Sequence, residues 1–225
     1  MARRPLRTAH FRTVSAWVLL AALFGAVYGL AADRLAARWP QREDGLVRAL
    51  DWRTAAVAIG SAATFGALAG RWSEPRDLIV LGVYTAVLIV LLATDLDQKL
   101  LPDVLTLPLI PYSLIVLLLG WNPMLAGKDL AIATAVAAGV GAPILLLVSD
   151  RLLGGALGMG DVKLAVSLGL MAGITRFIGG FLVGSILSAF VLLTLIALRR
   201  ISLRSAVPFG PVLITGGIVA MLLPT

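Results

Sequence analysis

Long runs of apolar residues constrain the fold of this chain more than any other feature. Eight such runs follow one another, separated by short polar loops. They lie at 14–32, 54–70, 77–94, 104–120, 130–148, 162–176, 178–198 and 207–223. A transmembrane helix needs about 17–25 mainly apolar residues. Only 14% of the residues are charged, whereas about a quarter are charged in a soluble domain. The sequence therefore predicts an all-α polytopic membrane protein with about eight transmembrane helices.

The net charge of +7 bears on the orientation of these spans. Most lysines and arginines fall in the loops after the first, third, fifth and seventh spans. The positive-inside rule places those loops in the cytoplasm, although the arginines of the N-terminal tail favour the opposite orientation. In so apolar a chain we expect the basic loops to contact anionic lipid headgroups. We expect no nucleic-acid partner.

The content of cysteine and histidine limits metal chemistry. The chain has no cysteine, and its single histidine, His10, lies in the basic N-terminal tail. Disulfides and cysteine-ligated zinc are thereby excluded. We expect no metal site.

Five of the acidic residues lie in two of the loops. They are Asp95, Asp97, Asp103, Asp150 and Asp161. Two spans separate the third loop from the fifth, so both loops lie on one face of the membrane, which the charge rule makes the cytoplasmic face. Asp95 ends one span and Asp161 opens another. Two carboxyls that share a proton around one water are the minimum equipment of an aspartyl protease, so we predict this pair as catalytic.

Other residues of the third loop have more than one interpretation. Asp103 follows a proline and is expected to cap the helix that begins there, or to shape the site. Asp97 is either a ligand or an accessory acid of the site, or it pairs with Lys99 or with water. We expect Asp97 and Lys99 to help shape the substrate site.

The fifth loop contains Gly-Met-Gly-Asp at 158–161, followed by Val-Lys. Gly158 and Gly160 would let the backbone approach a substrate closely. Lys163 would bind a substrate carbonyl or extend towards lipid headgroups. A phosphate-binding loop is not supported, because a P-loop needs Gly-Lys-Ser/Thr and a dinucleotide fingerprint needs a preceding strand.

These motifs resemble those of the type IV prepilin peptidase family, the membrane aspartyl proteases with a Gly-x-Gly-Asp motif. The first is Asp-Leu-Asp-Gln-Lys-Leu-Leu-Pro-Asp-Val-Leu-Thr-Leu-Pro-Leu at 95–109, and the second is Gly-Met-Gly-Asp-Val-Lys-Leu at 158–164. A weaker third is Ala-Val-Pro-Phe-Gly-Pro at 206–211. By position, the family's catalytic pair falls on Asp95 and Asp161.

The resemblance implies an endopeptidase of the bacterial inner membrane. It would remove the short basic leader of type IV prepilin or pseudopilin precursors, and its site would face the cytoplasm. The resemblance covers roughly 54–223, so we expect a peptidase domain at 54–225. Residues 1–53 would form a tail, the first span and a short polar loop. Self-association is left open.

The first fifty residues depart from the long members of this family, whose cytoplasmic zinc domain contains two Cys-x-x-Cys pairs. Because cysteine is absent here, we expect no zinc site and no cofactor for peptidase activity. Methylation of the product from S-adenosylmethionine is not expected either.

Two functions of other classes compete with the peptidase. Intramembrane acids also act as proton relays in transporters and channels, where they usually lie in mid-span. A structural membrane component without activity would be free to lose one aspartate of the pair, but both are present.

Overall fold

The protein forms a bundle of helices. A computed structural model describes residues 15–40, 47–125, 127, 130–153, 157–197 and 209–224. The described residues contain no strand. The helices are α1 (Ala16–Ala36), α2 (Trp52–Arg71), α3 (Pro75–Gln98), α4 (Asp103–Leu118), α5 (Ala131–Leu153), α6 (Met159–Ala197) and α7 (Gly210–Leu222). The predicted all-α architecture is confirmed for this part of the chain.

The predicted count of eight spans is not confirmed. The described residues form seven helices, of which four are long and apolar enough to cross a membrane. These four are Ala16–Ala36, Pro75–Gln98, Ala131–Leu152 and Met159–Val191. By contrast, α4 and α7 have only 16 and 13 residues. The structure supports a polytopic membrane protein. The apolar runs of the sequence predicted about eight full-length spans, and four helices of the described residues are long and apolar enough.

A kink in α6 replaces the expected boundary between the sixth and seventh spans. The apolar runs at 162–176 and 178–198 predict this boundary beside Arg176, but the non-helical residue is Gly173, with φ 64° and ψ 174°. A side chain is strongly disfavoured at such angles, and glycine is tolerated. Helical hydrogen bonding resumes directly after Gly173, so α6 changes direction there without a loop.

Helix α3 lies at the centre of the bundle. It packs against α1, α2, α4 and α7, while α6 packs against α4, α5 and α7. Leu81, Tyr84, Leu88 and Leu91 of α3 are completely buried. The Tyr84 hydroxyl is 3.0 Å from the Ser167 hydroxyl, which joins α3 to α6 across the core. A helix that is apolar on all sides is stable only when other helices or lipid surround it.

The chain reverses direction sharply between α3 and α4. Lys99 ends α3 in the left-handed conformation, with φ 54°, and its N–H donates to the Asp95 carbonyl at 2.9 Å. Three residues later, Pro102 is extended and serves as the N-cap of α4. This short turn places the end of α3 beside the beginning of α4.

Candidate functional site

Asp95 and Asp161 both lie at helix ends. Asp95 is in the last turn of α3, and Asp161 is in the first turn of α6. Their exposed fractions are only 4% and 8%. The Asp161 N–H donates to the Gly158 carbonyl at 3.0 Å, which begins the helix. Both residues lie at helix ends, as the sequence predicts.

The two carboxyls interact with each other. The charge of Asp161 acts directly on Asp95. Within the described residues, Asp95 Oδ2 and Asp161 Oδ1 are buried and have no hydrogen-bond partner. Burying a carboxylate oxygen without a partner is unfavourable. In native structures such groups usually bind a water or an ion, store strain or take part in catalysis.

One glycine lies close to each of the two carboxyls. A Cβ atom on Gly210, the first residue of α7, would lie 2.8 Å from the Asp95 Cγ and Oδ2. One on Gly158 would lie 3.2 Å from the Asp161 Oδ2. The backbone of α7 therefore approaches Asp95 as closely as it can, and Gly158 leaves room for the second carboxyl.

Gly160 has a different neighbour, the turn between α3 and α4. A Cβ atom at this position would lie 2.7 Å from the Leu101 Cβ and 2.9 Å from the Leu101 carbonyl oxygen. Gly160 therefore lets the beginning of α6 pack against the turn that follows Asp95. The close approach of the backbone to a substrate at this glycine stays a prediction, and the neighbour that the structure shows is the protein's own Leu101.

Lys163 and Asp103 form an ion pair that joins α6 to α4. The Lys163 Nζ lies 2.6 Å from the Asp103 Oδ1. The prediction that Asp103 caps α4 is wrong, because Pro102 is the N-cap and no side chain caps this end. Asp103 is instead the first helical residue, and its side chain points to Lys163. Its side chain is 58% exposed, so the pair contributes little to stability.

Asp97 is tied to the segment that connects α1 with α2. Its Oδ1 accepts hydrogen bonds from Arg48 Nε at 2.5 Å and from Arg53 Nη1 at 3.3 Å. The spacing along the sequence had suggested Lys99 as its partner. Lys99 is exposed and ends the helix through its backbone. Asp97 therefore belongs to an ion-pair network beside Asp95.

Arg48 is the centre of this network. Its guanidinium forms ion pairs with Asp33 of α1, with Asp51 and with Asp97, and its side chain is only 10% exposed. Burial works to lower the pKa of Arg48, but the hydrogen bonds and charges of its acidic partners hold the pKa above its ordinary value. Arg48 thus joins α1, the start of α2 and the end of α3 at the level of Asp95.

The two main motifs do not predict Gly210 or Arg48 as part of the site. Gly210 stands in the third, weaker motif at 206–211, of which the structure describes residues 209–211. That motif was the only signal for it. Arg48 and Asp97 are 49 residues apart, and nothing in the local sequence indicates that they meet.

No group of three or more His, Asp or Glu side chains among the described residues is arranged to hold a metal ion. His10 lies outside the described residues. The titratable groups that the structure brings together at the site are the carboxyls of Asp95 and Asp161. Two buried and electrostatically coupled carboxyls cannot both ionise easily, so one tends to keep its proton while the other is free to accept one. This arrangement suits general acid–base chemistry.

The sequence is similar to known proteins over the region that contains both aspartates. The profile of the type IV leader peptidase family matches residues 82–193, which include both aspartates. This match confirms the family resemblance inferred from the motifs. No solved structure is a significant match.

Three similar curated proteins are named prepilin leader peptidase/N-methyltransferase. The protein from Aeromonas hydrophila is 35% identical over 170 residues, which cover 74% of this chain and 55% of the relative. The Pseudomonas putida protein is 32% identical over 74% of this chain and 57% of its own length. The Dickeya chrysanthemi protein is 32% identical over 78% and 61%. The matched region thus spans little more than half of each relative.

Proposed function

Because the profile of the type IV leader peptidase family matches residues 82–193 and a relative that is 35% identical is named prepilin leader peptidase/N-methyltransferase, we propose that the chain is a membrane-embedded aspartic endopeptidase. It removes the short basic leader from type IV prepilin or pseudopilin precursors. The observation that carries this proposal is the pair of buried, mutually interacting carboxyls of Asp95 and Asp161, each with one oxygen that has no partner among the described residues.

The location of the pair fits a substrate that begins in water and continues through the membrane. Asp95 and Asp161 lie at the ends of two apolar helices, α3 and α6. A scissile bond between a basic leader and a hydrophobic helix lies at the same depth. We place this end of the bundle at the cytoplasmic face of the bacterial inner membrane. The charges of the loops that follow the first, third, fifth and seventh predicted spans support that orientation.

The two carboxyls would divide the chemistry between them. The ionised carboxyl takes a proton from a water as the water oxygen bonds to the scissile carbonyl carbon. The protonated carboxyl hydrogen-bonds to the carbonyl oxygen, where negative charge develops. The C–N bond then breaks as the leaving nitrogen receives a proton. The protons belong to the coupled pair, and no covalent enzyme intermediate forms.

A proton relay of a transporter fits the structure less well. The buried carboxylates of the described residues are Asp33, Asp95, Asp97 and Asp161. Contacts with Arg48, or with the neighbouring helix ends, place all of them at one end of the bundle. A relay through the membrane needs titratable groups along its depth. A peptidase site needs them only at one boundary.

The first test is cleavage by the purified protein in detergent. We expect incubation with a prepilin that has a basic leader to yield a product cut at the junction with the hydrophobic helix. The reaction mixture contains EDTA and S-adenosylmethionine, and the product mass is measured. We propose that cleavage needs no zinc and that the protein does not methylate its product, so the product should appear in full and unmethylated. An intact precursor would refute the peptidase. A mass increase of one methyl group would refute only the proposal that the product is not methylated.

Gly210 provides a test of how close α7 must lie to Asp95. In Gly210→Ala the new Cβ lies 2.8 Å from the Asp95 carboxyl, which is closer than carbon atoms pack, so the carboxyl must move. We expect cleavage to fall at least about tenfold, because a displacement of about 1 Å at a reacting group can cost a hundredfold. Measured cleavage rates at equal amounts of folded protein decide this.

Gly82→Ala is the matched control for this substitution. Gly82 lies in α3, and a Cβ there would have no neighbour within 4 Å. The same change should leave cleavage unaltered. If Gly210→Ala were as active as Gly82→Ala, close contact between α7 and Asp95 would have no part in catalysis.

A further inference from the structure

Arg176 is buried without enough partners for its charge. It lies in α6 and is 3% exposed. Its Nη1 donates to the Ala220 carbonyl of α7 at 3.0 Å, whereas its Nε and Nη2 are buried and unpartnered. A buried guanidinium whose N–H groups lack acceptors is strongly unfavourable unless another group compensates it. No ion pair of Arg176 with a described residue is formed.

A second arginine lies near Arg176 and adds to the positive charge. Arg71 ends α2, and its guanidinium lies over the Trp72 ring, 4.9 Å from the ring centre. The Trp72 indole N–H donates to the Met221 carbonyl at 3.1 Å, next to the carbonyl that Arg176 holds. The charges of the two arginines repel each other. Arg71 likewise has no ion pair within the described part of the chain.

The arginine pair lies at the end of the bundle opposite to the aspartates. Helix α2 begins beside Asp97 and ends at Arg71, after 20 residues, a length of about 30 Å. That distance equals the thickness of the hydrocarbon core of a bilayer, about 30 Å. The pair is therefore at the level of the headgroups on the other side of the membrane. Trp72 is of the residue type enriched at that level.

We propose that Arg71 and Arg176 together bind an anionic phosphate group. The phosphate oxygens accept hydrogen bonds from Nε and Nη2 of Arg176, the edge of the guanidinium that suits two-point binding of phosphate. Arg71 is only partly buried. Its side chain turns from the Trp72 ring to admit the phosphate and then neutralises it from the outer side. A phospholipid headgroup and free inorganic phosphate share this chemistry.

The bound phosphate would hold three helices together. Arg71 belongs to α2 and Arg176 to α6, while the Ala220 carbonyl belongs to α7. Neutralising the two like charges removes their repulsion at this junction. The proposal is independent of the peptidase reaction, because its residues lie across the bundle from Asp95 and Asp161.

The test measures the thermal unfolding midpoint of delipidated protein in a neutral detergent. Three additions are compared, namely phosphatidylglycerol, sodium phosphate and diacylglycerol, which has acyl chains but no phosphate. We expect phosphatidylglycerol to raise the midpoint by about 5 °C at saturation, and diacylglycerol to leave it unchanged. A rise in the unfolding midpoint with sodium phosphate alone would identify the free anion as a ligand. No rise with sodium phosphate would identify the lipid.

Variants assign the effect to the two arginines. Arg71→Gln and Arg176→Gln should each lose the rise, whereas Arg76→Gln should keep it. Arg76 is the matched control because it is 60% exposed at the same end of the bundle and pairs with Asp77. If Arg176→Gln does not fold, Arg71→Gln decides the test alone. The proposal is overturned if neither phosphate compound stabilises the protein, if diacylglycerol stabilises it equally, or if Arg71→Gln responds like the native chain.

Discussion

Asp95→Asn and Asp161→Asn are each expected to abolish precursor cleavage, with a loss of about a hundredfold to ten-thousandfold. Asparagine keeps the size of the side chain but can neither share nor transfer the proton. Two coupled carboxyls act as a unit, so the double variant should be little worse than either single one. The measurement is the rate of leader removal from a purified prepilin, at equal amounts of folded enzyme.

Asp103→Asn serves as the control for the loss of a carboxylate at this end of the bundle. Asp103 is largely exposed and pairs only with Lys163 among the described residues. Its variant should cleave within a few-fold of the native rate. If either Asp95→Asn or Asp161→Asn retained full activity, the proposed catalytic pair would be wrong, even if the protein proved to be a peptidase.

Arg48→Met is expected to have the largest effect on stability, a loss of about 3 kcal/mol in the free energy of unfolding. The variant leaves Asp33 and Asp97 buried with fewer cationic partners, although Arg34 and Arg53 remain beside them. Because Asp97 is two residues after Asp95, the end of α3 should also lose its fixed position. Unfolding in detergent and cleavage by the remaining folded protein are the two measurements.

Arg38→Met is the matched control for this prediction. Arg38 follows the end of α1, is exposed and has no ion pair with a described residue. The same substitution there should change the free energy of unfolding by less than about 0.5 kcal/mol. Equal stability of the Arg48 and Arg38 variants would show that the network around Arg48 does not hold this end of the bundle together.

The helices could largely be predicted from hydropathy, and their ends could not. The apolar run at 77–94 identified α3, but the helix continues through Asp95 and Asp97 to Gln98. Polar residues continue a helix when tertiary contacts pair them, as Arg48 pairs Asp97. A hydropathy pattern responds only to apolar character, so the span that it predicts ends before the helix does.

The kink in α6 is a second case in which the sequence did not predict where a helix is interrupted. The apolar runs at 162–176 and 178–198 predicted a boundary between two spans beside Arg176. The backbone instead breaks at Gly173, and Arg176 is buried in the helix that follows. A charged residue marks a loop only if water surrounds it. Here the Ala220 carbonyl of α7 accepts one of its hydrogen bonds.

Asp95 and Asp161 stand out in the sequence itself. Few carboxylates occur in so apolar a chain, and an even number of predicted spans separates the two loops that contain this pair. Their motifs predicted the family whose profile matches residues 82–193. These inferences needed only residue types and short spacings, because the membrane restricts both the kinds of element and their directions.

The surroundings of the pair were decided by tertiary structure alone. Gly210 comes from α7 to lie against Asp95, and Arg48 comes from the segment before α2 to hold Asp97. Such contacts join residues that are far apart along the chain, where spacing carries no information about distance. The physical reason is that helix packing, through shape and buried charge, determines which distant residues meet, whereas hydropathy determines only that a helix lies in the membrane.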